Sequence, residues 1–503
     1  MLEHILPAIL ISLNWQVLAA MAVGTVAGII IGGLPGLGTA LGLVIALPFT
    51  YSMEPSMAIA LLLAIYVSSI YGGSISAILI NVPGTPQSAA SVLDGYPMAV
   101  RGEGALALGY ATIASFVGGI FSLFILVIFA PQLAKLALFF GPIETFALLL
   151  FALTTVAGVS SQNLLKGLIA ALIGIFLALI GPDEITGQIR FDFGIVFLTA
   201  GLTVIPLLIG IFAISEVLIQ AATLTDSAKP SVVKGGFRIP SWAAWKPRMA
   251  TLMRSCVLGS AIGVLPGTGA TAATFISYAD AKRRSPNPED FGKGEPSGLI
   301  ASEASNNAVS GGAMVPMLAL GIPGDAGTAV MLGGLAIHNI APGARLFQEQ
   351  PDTVTLIFVL LMVANVFMLV LGAAGANIYS RLLRIPITLL MPLVVMLCIV
   401  GAYAVRSNPI DLIIVMVFGI LGFLLRLNNF PLAPIIIGFI LGAPMERALR
   451  QGLILSDTNF LEFFRSPMAC GLFIITGLVL LNIMGLGRVL RRLIARKTNS
   501  PEI

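Results

Sequence analysis

The chain is built from a succession of apolar runs, each close to the roughly 20 residues that an α-helix needs to cross the hydrocarbon layer of a bilayer. Clear runs lie at 57–80, 105–130, 164–181, 195–222, 353–377, 386–404, 410–425 and 467–487. Further apolar stretches at 7–50, 143–158, 255–279, 306–340 and 431–443 are interrupted by Gly and Pro, which helix bundles in lipid tolerate. Of 503 residues, 57% are hydrophobic and only 10% charged, against roughly 25% charged in a soluble domain. Lipid is the solvent such a surface needs. These features predict an all-α polytopic membrane protein of about 10–12 membrane elements. The alternating pattern of an outer-membrane barrel is absent. The opening MLEHILPAIL has no Lys or Arg before its apolar stretch and no small-residue cleavage pattern after it, so it is expected to remain as the first membrane element. Cys256, Cys398 and Cys470 stand alone inside apolar runs, without the C-x-x-C spacing of a metal site.

The chain also repeats itself. LPGLG at Leu34 to Gly38 returns as LPGTG at Leu265 to Gly269; NVPGT at Asn81 to Thr85 returns as GIPGD at Gly321 to Asp325; PLLIG at Pro206 to Gly210 returns as PIIIG at Pro434 to Gly438. The prolines are offset by 231, 240 and 228 residues, and Glu216 and Glu446 follow the third pair. The longer offset coincides with a polar stretch at 280–305, where the first half has only Tyr51 to Ser56. Lys and Arg in short loops favour the cytoplasmic side. The loop 223–254 carries Lys229, Lys234, Arg238, Lys246, Arg248 and Arg254 against one acid, Asp226, and the tail carries Arg488, Arg491, Arg492, Arg496 and Lys497. Both are therefore expected inside, with a single span at 467–487 between the second half and the tail. Two similar halves ending on opposite faces are inverted repeats. The expected organisation is a first membrane repeat at 1–222, a basic cytoplasmic linker at 223–254, a second membrane repeat at 255–445, and at 446–503 an outside loop, a final span and a basic cytoplasmic tail. The basic residues are a topology signal and not a nucleic-acid footprint.

Proline removes a backbone donor and glycine permits a positive φ, so a Pro-Gly pair unwinds a helix. Unwound backbone at membrane depth is tolerated where it is enclosed by protein or lines a wet cavity; there its carbonyls can hold a cation and the following helix N-terminus an anion. The candidate substrate- and ion-binding residues are Pro35, Gly36, Gly38 and Thr39; Asn81, Pro83, Gly84 and Thr85; Pro266, Gly267, Thr268 and Gly269; and Pro323, Gly324, Asp325 and Thr328. Gly84 and Gly267 are expected to need positive φ. Basic residues flank 255–279 on both sides, whereas the counterpart around Pro35 has none; either a re-entrant hairpin or a single helix broken at the turn satisfies this pattern. No enclosed cluster of metal-ligating residues is evident, although sodium at the Pro-Gly turns is an option.

These residues belong to longer composite motifs. The segment YGGSISAILINVPGTPQSAASVLDGYPMAVRGEGALALG (Tyr71 to Gly109) and the segment from Gly263 to Asp325 resemble the two signature regions of the large permease subunit in the tripartite tricarboxylate transporter family. NNFPLAPIIIGFILGAPMERALR (Asn428 to Arg450) is similar to the family's final conserved stretch. The resemblance implies a permease that works with a periplasmic solute-binding protein and a small membrane subunit in the bacterial inner membrane. It implies import of di- or tricarboxylates on a sodium or proton gradient, with no cofactor. No phosphate-binding loop of the G-x-x-x-x-G-K-[ST] type is present.

Other residues carry weaker signals. Asp94, Gly95 and Tyr96 lie in DGYP, which is a turn signal as much as a candidate site. Glu303, Asn306 and Asn307 open the apolar arm leading to GIPGD; Asn306 and Asn307 are candidate binding residues, and Glu303 is either a functional residue or a helix cap. The spacing puts Glu303 and Asn307 on one helical face. Asp325 is either a cap of the following helix or a paired or ion-bound carboxylate. A one-chain ion-coupled carrier or a channel for another small organic anion is the alternative. A channel would need rings of polar or charged residues. An enzyme is not expected: His4 and His338 are the only histidines, and no catalytic pairing appears.

Overall fold

A computed structural model describes residues 2–159, 164–222, 236–267, 269–383, 385 and 387–483. Residues 223–235 of the basic linker and all of the basic tail lie outside them. The chain forms two compact units, Met1–Leu138 with Thr203–Leu424 and Phe139–Leu202 with Leu425–Ile503. Helices dominate, as expected of an all-α polytopic membrane protein. Among the described residues, six helical runs are long and apolar enough to cross a bilayer: Trp15–Gly33, Pro55–Ile80, Pro86–Ala137, Val204–Ala222, Pro351–Leu382 and Pro409–Leu427.

The order of elements occurs twice. After α1 (Leu2–Ser12), the first series is α2 (Trp15–Gly33), α3 (Gly38–Thr50), α4 (Pro55–Ile80), α5 (Ala89–Met98), α6 (Gly104–Ala137), α7 (Pro142–Val159), α8 (Leu164–Ala178) and α9 (Val204–Ala222). The second is α10 (Met249–Val264), α11 (Gly269–Arg284), α12 (Pro296–Leu320), α13 (Ala326–Ile337), α14 (Pro351–Leu382), α15 (Ile387–Arg406), α16 (Pro409–Leu427) and α17 (Ala433–Leu455). Helix α18 (Pro467–Ile483) closes the described chain.

In the first unit, α2 and α4 run parallel because small residues on one let the backbones touch. A Cβ at Gly24, Gly28 or Gly32 would fall within 3 Å of the carbonyl oxygens of Leu61, Ile65 and Ser69 in turn. Helices α10 and α12 repeat this through Gly259 against Ser305 and Gly263 against Val309. The intervening helices double back: Gly42 of α3 lies against both Ile31 of α2 and Ile65 of α4, and Ala270 and Ala273 of α11 pack with Val309 and Ala313 of α12. The Pro-Gly elements are thus helical hairpins and not broken single helices. At 13 residues and 1.5 Å per residue, α3 is about 20 Å long, short of the hydrocarbon thickness.

Long helices are exchanged between the halves. Helix α6 packs on α12, where a Cβ at Gly118 would meet the Ala304 carbonyl oxygen, and α14 packs on α4, where Gly372 faces the Tyr71 ring. Helix α9, with a π-turn at Ile209–Ile214, packs Gly210 on Val415 and Phe418 of α16. In the second unit its counterpart α17 packs Gly438 on Ala171 of α8. Each third-echo helix therefore seats on a helix contributed by the other half.

The second unit holds a short antiparallel hairpin, β1 (Gly181–Pro182) with β2 (Ile189–Arg190), stitched to α17 by charges. Arg190 donates to both carboxylate oxygens of Glu446, at 2.6 and 3.0 Å, and Arg450 donates to Asp183. The Asp183 carboxyl also accepts the backbone N–H groups of Ile185 at 2.8 Å and Thr186 at 3.2 Å. The Ile185 amide foremost, and Arg450 after it, hold this carboxyl well below the usual carboxylate range.

Two boundaries differ from the sequence expectation. The run at 195–222 is helical as a span only from Val204, because a 3-10 turn at Val196–Ala200 ends at Gly201 with φ +79°. The polar stretch at 280–305 ends in helix: Glu295 accepts the Ser297 N–H and starts α12 at Pro296. Glu303 therefore lies in the helix interior and is not a cap.

Candidate functional site

Four unwound turns lie in the first unit, in two matched pairs. Helix α2 stops at Gly33, and Gly36 and Gly38 adopt φ +89° and +67°; α10 stops at Val264, and Gly267 and Gly269 adopt +77° and +70°. Only glycine takes these angles without steric cost. Pro35 and Pro266 lead the two turns, and Thr268 lies outside the described residues. The other pair ends on left-handed residues, Asn81 at φ 61° after α4 and Gly321 at φ 70° after α12.

Within each half the two turns pack together. The chain at Pro83 and Gly84 folds back along α4, with the Gly84 N–H donating to the Gly73 carbonyl at 3.2 Å. A Cβ at Gly84 would sit 2.1 Å from the Gly32 carbonyl oxygen. Gly84 does not have positive φ; it is glycine because two backbones meet there, which corrects the expectation above. In the second half, Gly324 after Pro323 lies against Ala313, the residue equivalent to Gly73, and accepts the Gly267 N–H at 2.9 Å.

Contacts also cross between halves. Tyr66 of α4 donates to Asp325 Oδ2 at 2.9 Å. Gly327 of α13 sits against the Tyr66 ring and the Thr39 methyl, and α11 lies against the turn at Pro86–Ser88 and against α5. The remaining Asp325 oxygen accepts the Thr328 N–H at 2.7 Å and the Thr328 hydroxyl at 2.8 Å, while the Thr328 hydroxyl accepts the Asp325 N–H at 2.9 Å. Asp325 is thus the N-cap of α13 and is tied to the opposite half by Tyr66. The hydroxyls of Thr39 and Thr85 are buried with no hydrogen-bond partner among the described residues.

Asn306 and Asn307 do not join the turns. They precede Ala313 by six or seven residues, about 10 Å along α12. Both are fully buried; Asn306 Nδ2 reaches the Ile70 carbonyl at 3.5 Å, and neither amide group of Asn307 has a described partner. One turn earlier on the same face, Glu303 accepts hydrogen bonds from Ser91 and Ser115. DGYP is not a turn but the last part of α5, and Asp94 on it is a clasp: its Oδ1 accepts the N–H groups of Gly292, Gly294 and Glu295 at 2.8, 2.8 and 2.9 Å. Arg101 holds the Lys293 and Gly294 carbonyls of the same loop. Tyr66 was not singled out by the sequence, where it is one aromatic inside an apolar run. Glu216 could have been: it follows the PLLIG echo, and its carboxylate and Gln220 flank Gly36.

Apolar helices around paired, unwound hairpin turns lined by amides and hydroxyls define a membrane transport protein. The chain belongs to the tripartite tricarboxylate transporter TctA family, whose sequence profile matches residues 18–437. It is similar to an uncharacterized 52.8 kDa protein in the TAR-I ttuC' 3' region of Agrobacterium vitis, 35% identical over 454 residues, which are 90% of this chain and 89% of the relative. An uncharacterized protein in the TAR-II ttuC' 3' region of the same organism is 34% identical over 214 residues, 42% of this chain and 88% of that relative. No solved structure matches.

Proposed function

We propose that the chain is the permease subunit of a binding-protein-dependent secondary transporter that imports di- or tricarboxylates across the bacterial inner membrane on a sodium or proton gradient. Family membership over residues 18–437 carries the reading, and the turns supply suitable chemistry. Backbone amides at the starts of α3 and α11, with the hydroxyls of Thr39 and Thr85, can receive carboxylate oxygens. The turn carbonyls can receive a monovalent cation. The repeated element order and the exchange of α6 with α14 support two inverted repeats moving about these turns.

The test is uptake of labelled citrate and succinate into proteoliposomes holding this chain with its small membrane subunit and binding protein, under imposed sodium or pH gradients. Uptake that needs all three components supports the reading. Equal uptake by this chain alone makes it a one-chain carrier.

A further inference from the structure

Glu303 is a fully buried carboxyl with no cation beside it. Two serine hydroxyls donate to it, Ser91 Oγ on Oε1 and Ser115 Oγ on Oε2, the latter at 3.0 Å; Ser74 of α4 faces the same carboxyl, and no ion pair among the described residues engages it. The elements that carry its neighbours present non-cationic groups, while α10, which packs on α12 through Gly259 against Ser305, carries Arg254 paired with Asp280 of α11 at 3.7 Å. Helix α4 brings Tyr71, whose hydroxyl bonds Thr112 of α6 at 2.8 Å. Helix α5 brings Ser91 and, lower down, Asp94, whose Oδ1 is committed to loop amides. Helix α6 brings Thr112, Ser115 and Ser122; α14 brings Asn365 and, next to Tyr71, Tyr379. On α12 itself, Glu295 lies two turns away and is paired with Arg248 at 3.3 Å.

A carboxylate removed from water without a counter-charge is costly unless something neutralises it. A metal cation would need several more oxygens around it, and this interface is closed: a Cβ at Gly118 would fall 2.1 Å from the Ala304 carbonyl oxygen, and one at Gly119 1.8 Å from Asn365 Oδ1. A proton needs no such room. We propose that Glu303 is the proton-carrying site of the permease, taking up one proton from water and returning it to water in each transport cycle, with only an O–H bond made and broken.

The same helix connects the site to the turns. Ionised, Glu303 accepts from both serines; protonated, it donates one hydrogen bond, so one serine must give up its own. That changes what holds α5 and α6 against α12, and α12 runs directly into Gly321 and the Pro-Gly turn capped by Asp325. Asn307, one turn above with neither its amide oxygen nor its amide nitrogen partnered among the described residues, can accept or donate as the proton moves. This inference rests on the secondary-transport reading above.

The test uses the complete three-component system in proteoliposomes. Glu303→Gln keeps the shape and should lose accumulation driven by an acidic outside pH, while exchange of labelled for unlabelled carboxylate at equal pH continues. In addition, infrared spectra of the purified wild-type protein should show a pH-dependent protonated-carboxyl band that Glu303→Gln lacks and Glu303→Asp shifts, which keeps the test readable if the Gln variant folds poorly. Accumulation by Glu303→Gln that still follows the pH gradient overturns the proposal, as does wild-type accumulation that follows sodium alone with no carboxyl band. A wild-type system that moves no carboxylate under any gradient overturns the proposed function instead, and the infrared band then decides Glu303 independently.

Discussion

Tyr66 Oη donates to Asp325 Oδ2 at 2.9 Å, so the buried central helix of the first half holds the residue that caps the Pro-Gly turn of the second. The two residues are 259 positions apart in the chain, and their bond makes the position of one half's turn depend on the other half.

This relationship separates two roles of Asp325. Asp325→Asn keeps an N-cap acceptor, for which Asn and Asp are about equal, and should fold nearly normally; Asp325→Ala should cost about 1 kcal/mol. Tyr66→Phe removes a hydrogen bond to a charged group, worth about 1.5–3 kcal/mol, and should lower uptake per folded molecule while α13 keeps its cap. Thermal unfolding in detergent read beside uptake checks all three. Wild-type uptake by Tyr66→Phe would show that the cross-half bond is not used.

The glycines of the turns should divide by mechanism. Gly84→Ala places a methyl 2.1 Å from the Gly32 carbonyl oxygen and should destabilise the fold by about 1–3 kcal/mol as overpacking. Gly38→Ala and Gly269→Ala meet nothing within 4 Å but hold φ +67° and +70°, a strain of about 1–2 kcal/mol. Those two variants should express well and slow transport, whereas Gly84→Ala should lose folded protein first. Monodispersity on size exclusion, set against uptake, distinguishes the groups.

Asp94→Ala should unfasten the loop before α12, because three backbone N–H groups lose one shared acceptor and the buried one, of Gly294, is left unsatisfied at about 1–3 kcal/mol. The expected readout is faster proteolysis or hydrogen exchange at residues 291–295, with Asp94→Asn intermediate.

The charge network of the second unit gives a pH prediction with a definite sign. The Asp183 carboxyl is held well below its usual range, so its stabilising effect is fully present above its unfolded value of about 3.9 and is lost as pH falls through the lower folded value. The melting difference between wild type and Asp183→Asn should be constant from neutral pH down to about 4 and shrink below that. A difference that vanished already near neutral pH would contradict the assignment.

The proposed inverted repeats predict that cysteines at positions 227 and 500, introduced after replacing Cys256, Cys398 and Cys470, react with an impermeant maleimide only from the cytoplasmic side. Labelling of either from outside in intact cells would exclude two inverted repeats.

Much of this protein was legible in its sequence for reasons that act locally. Apolar runs such as 57–80 are long enough to span a bilayer whatever they pack against, and LPGLG and LPGTG, with Gly36, Gly38, Gly267 and Gly269, dictate unwound turns because no other residue takes those angles freely. Composition, duplication and the family motifs follow from the same linear information. Tertiary structure alone decided the rest. That the hairpins double back depends on Gly42 meeting both Ile31 and Ile65; that Gly84 must be glycine depends on the Gly32 backbone arriving beside it; that Asp325 answers to Tyr66, and that Glu303 is enclosed by Ser91 and Ser115 rather than capping a helix, depends on helices from opposite halves being exchanged. Periodicity and propensity describe a residue against its near neighbours in the chain. The partners of Asp325 and Glu303 lie about 190 to 260 positions away, where only packing brings them into contact.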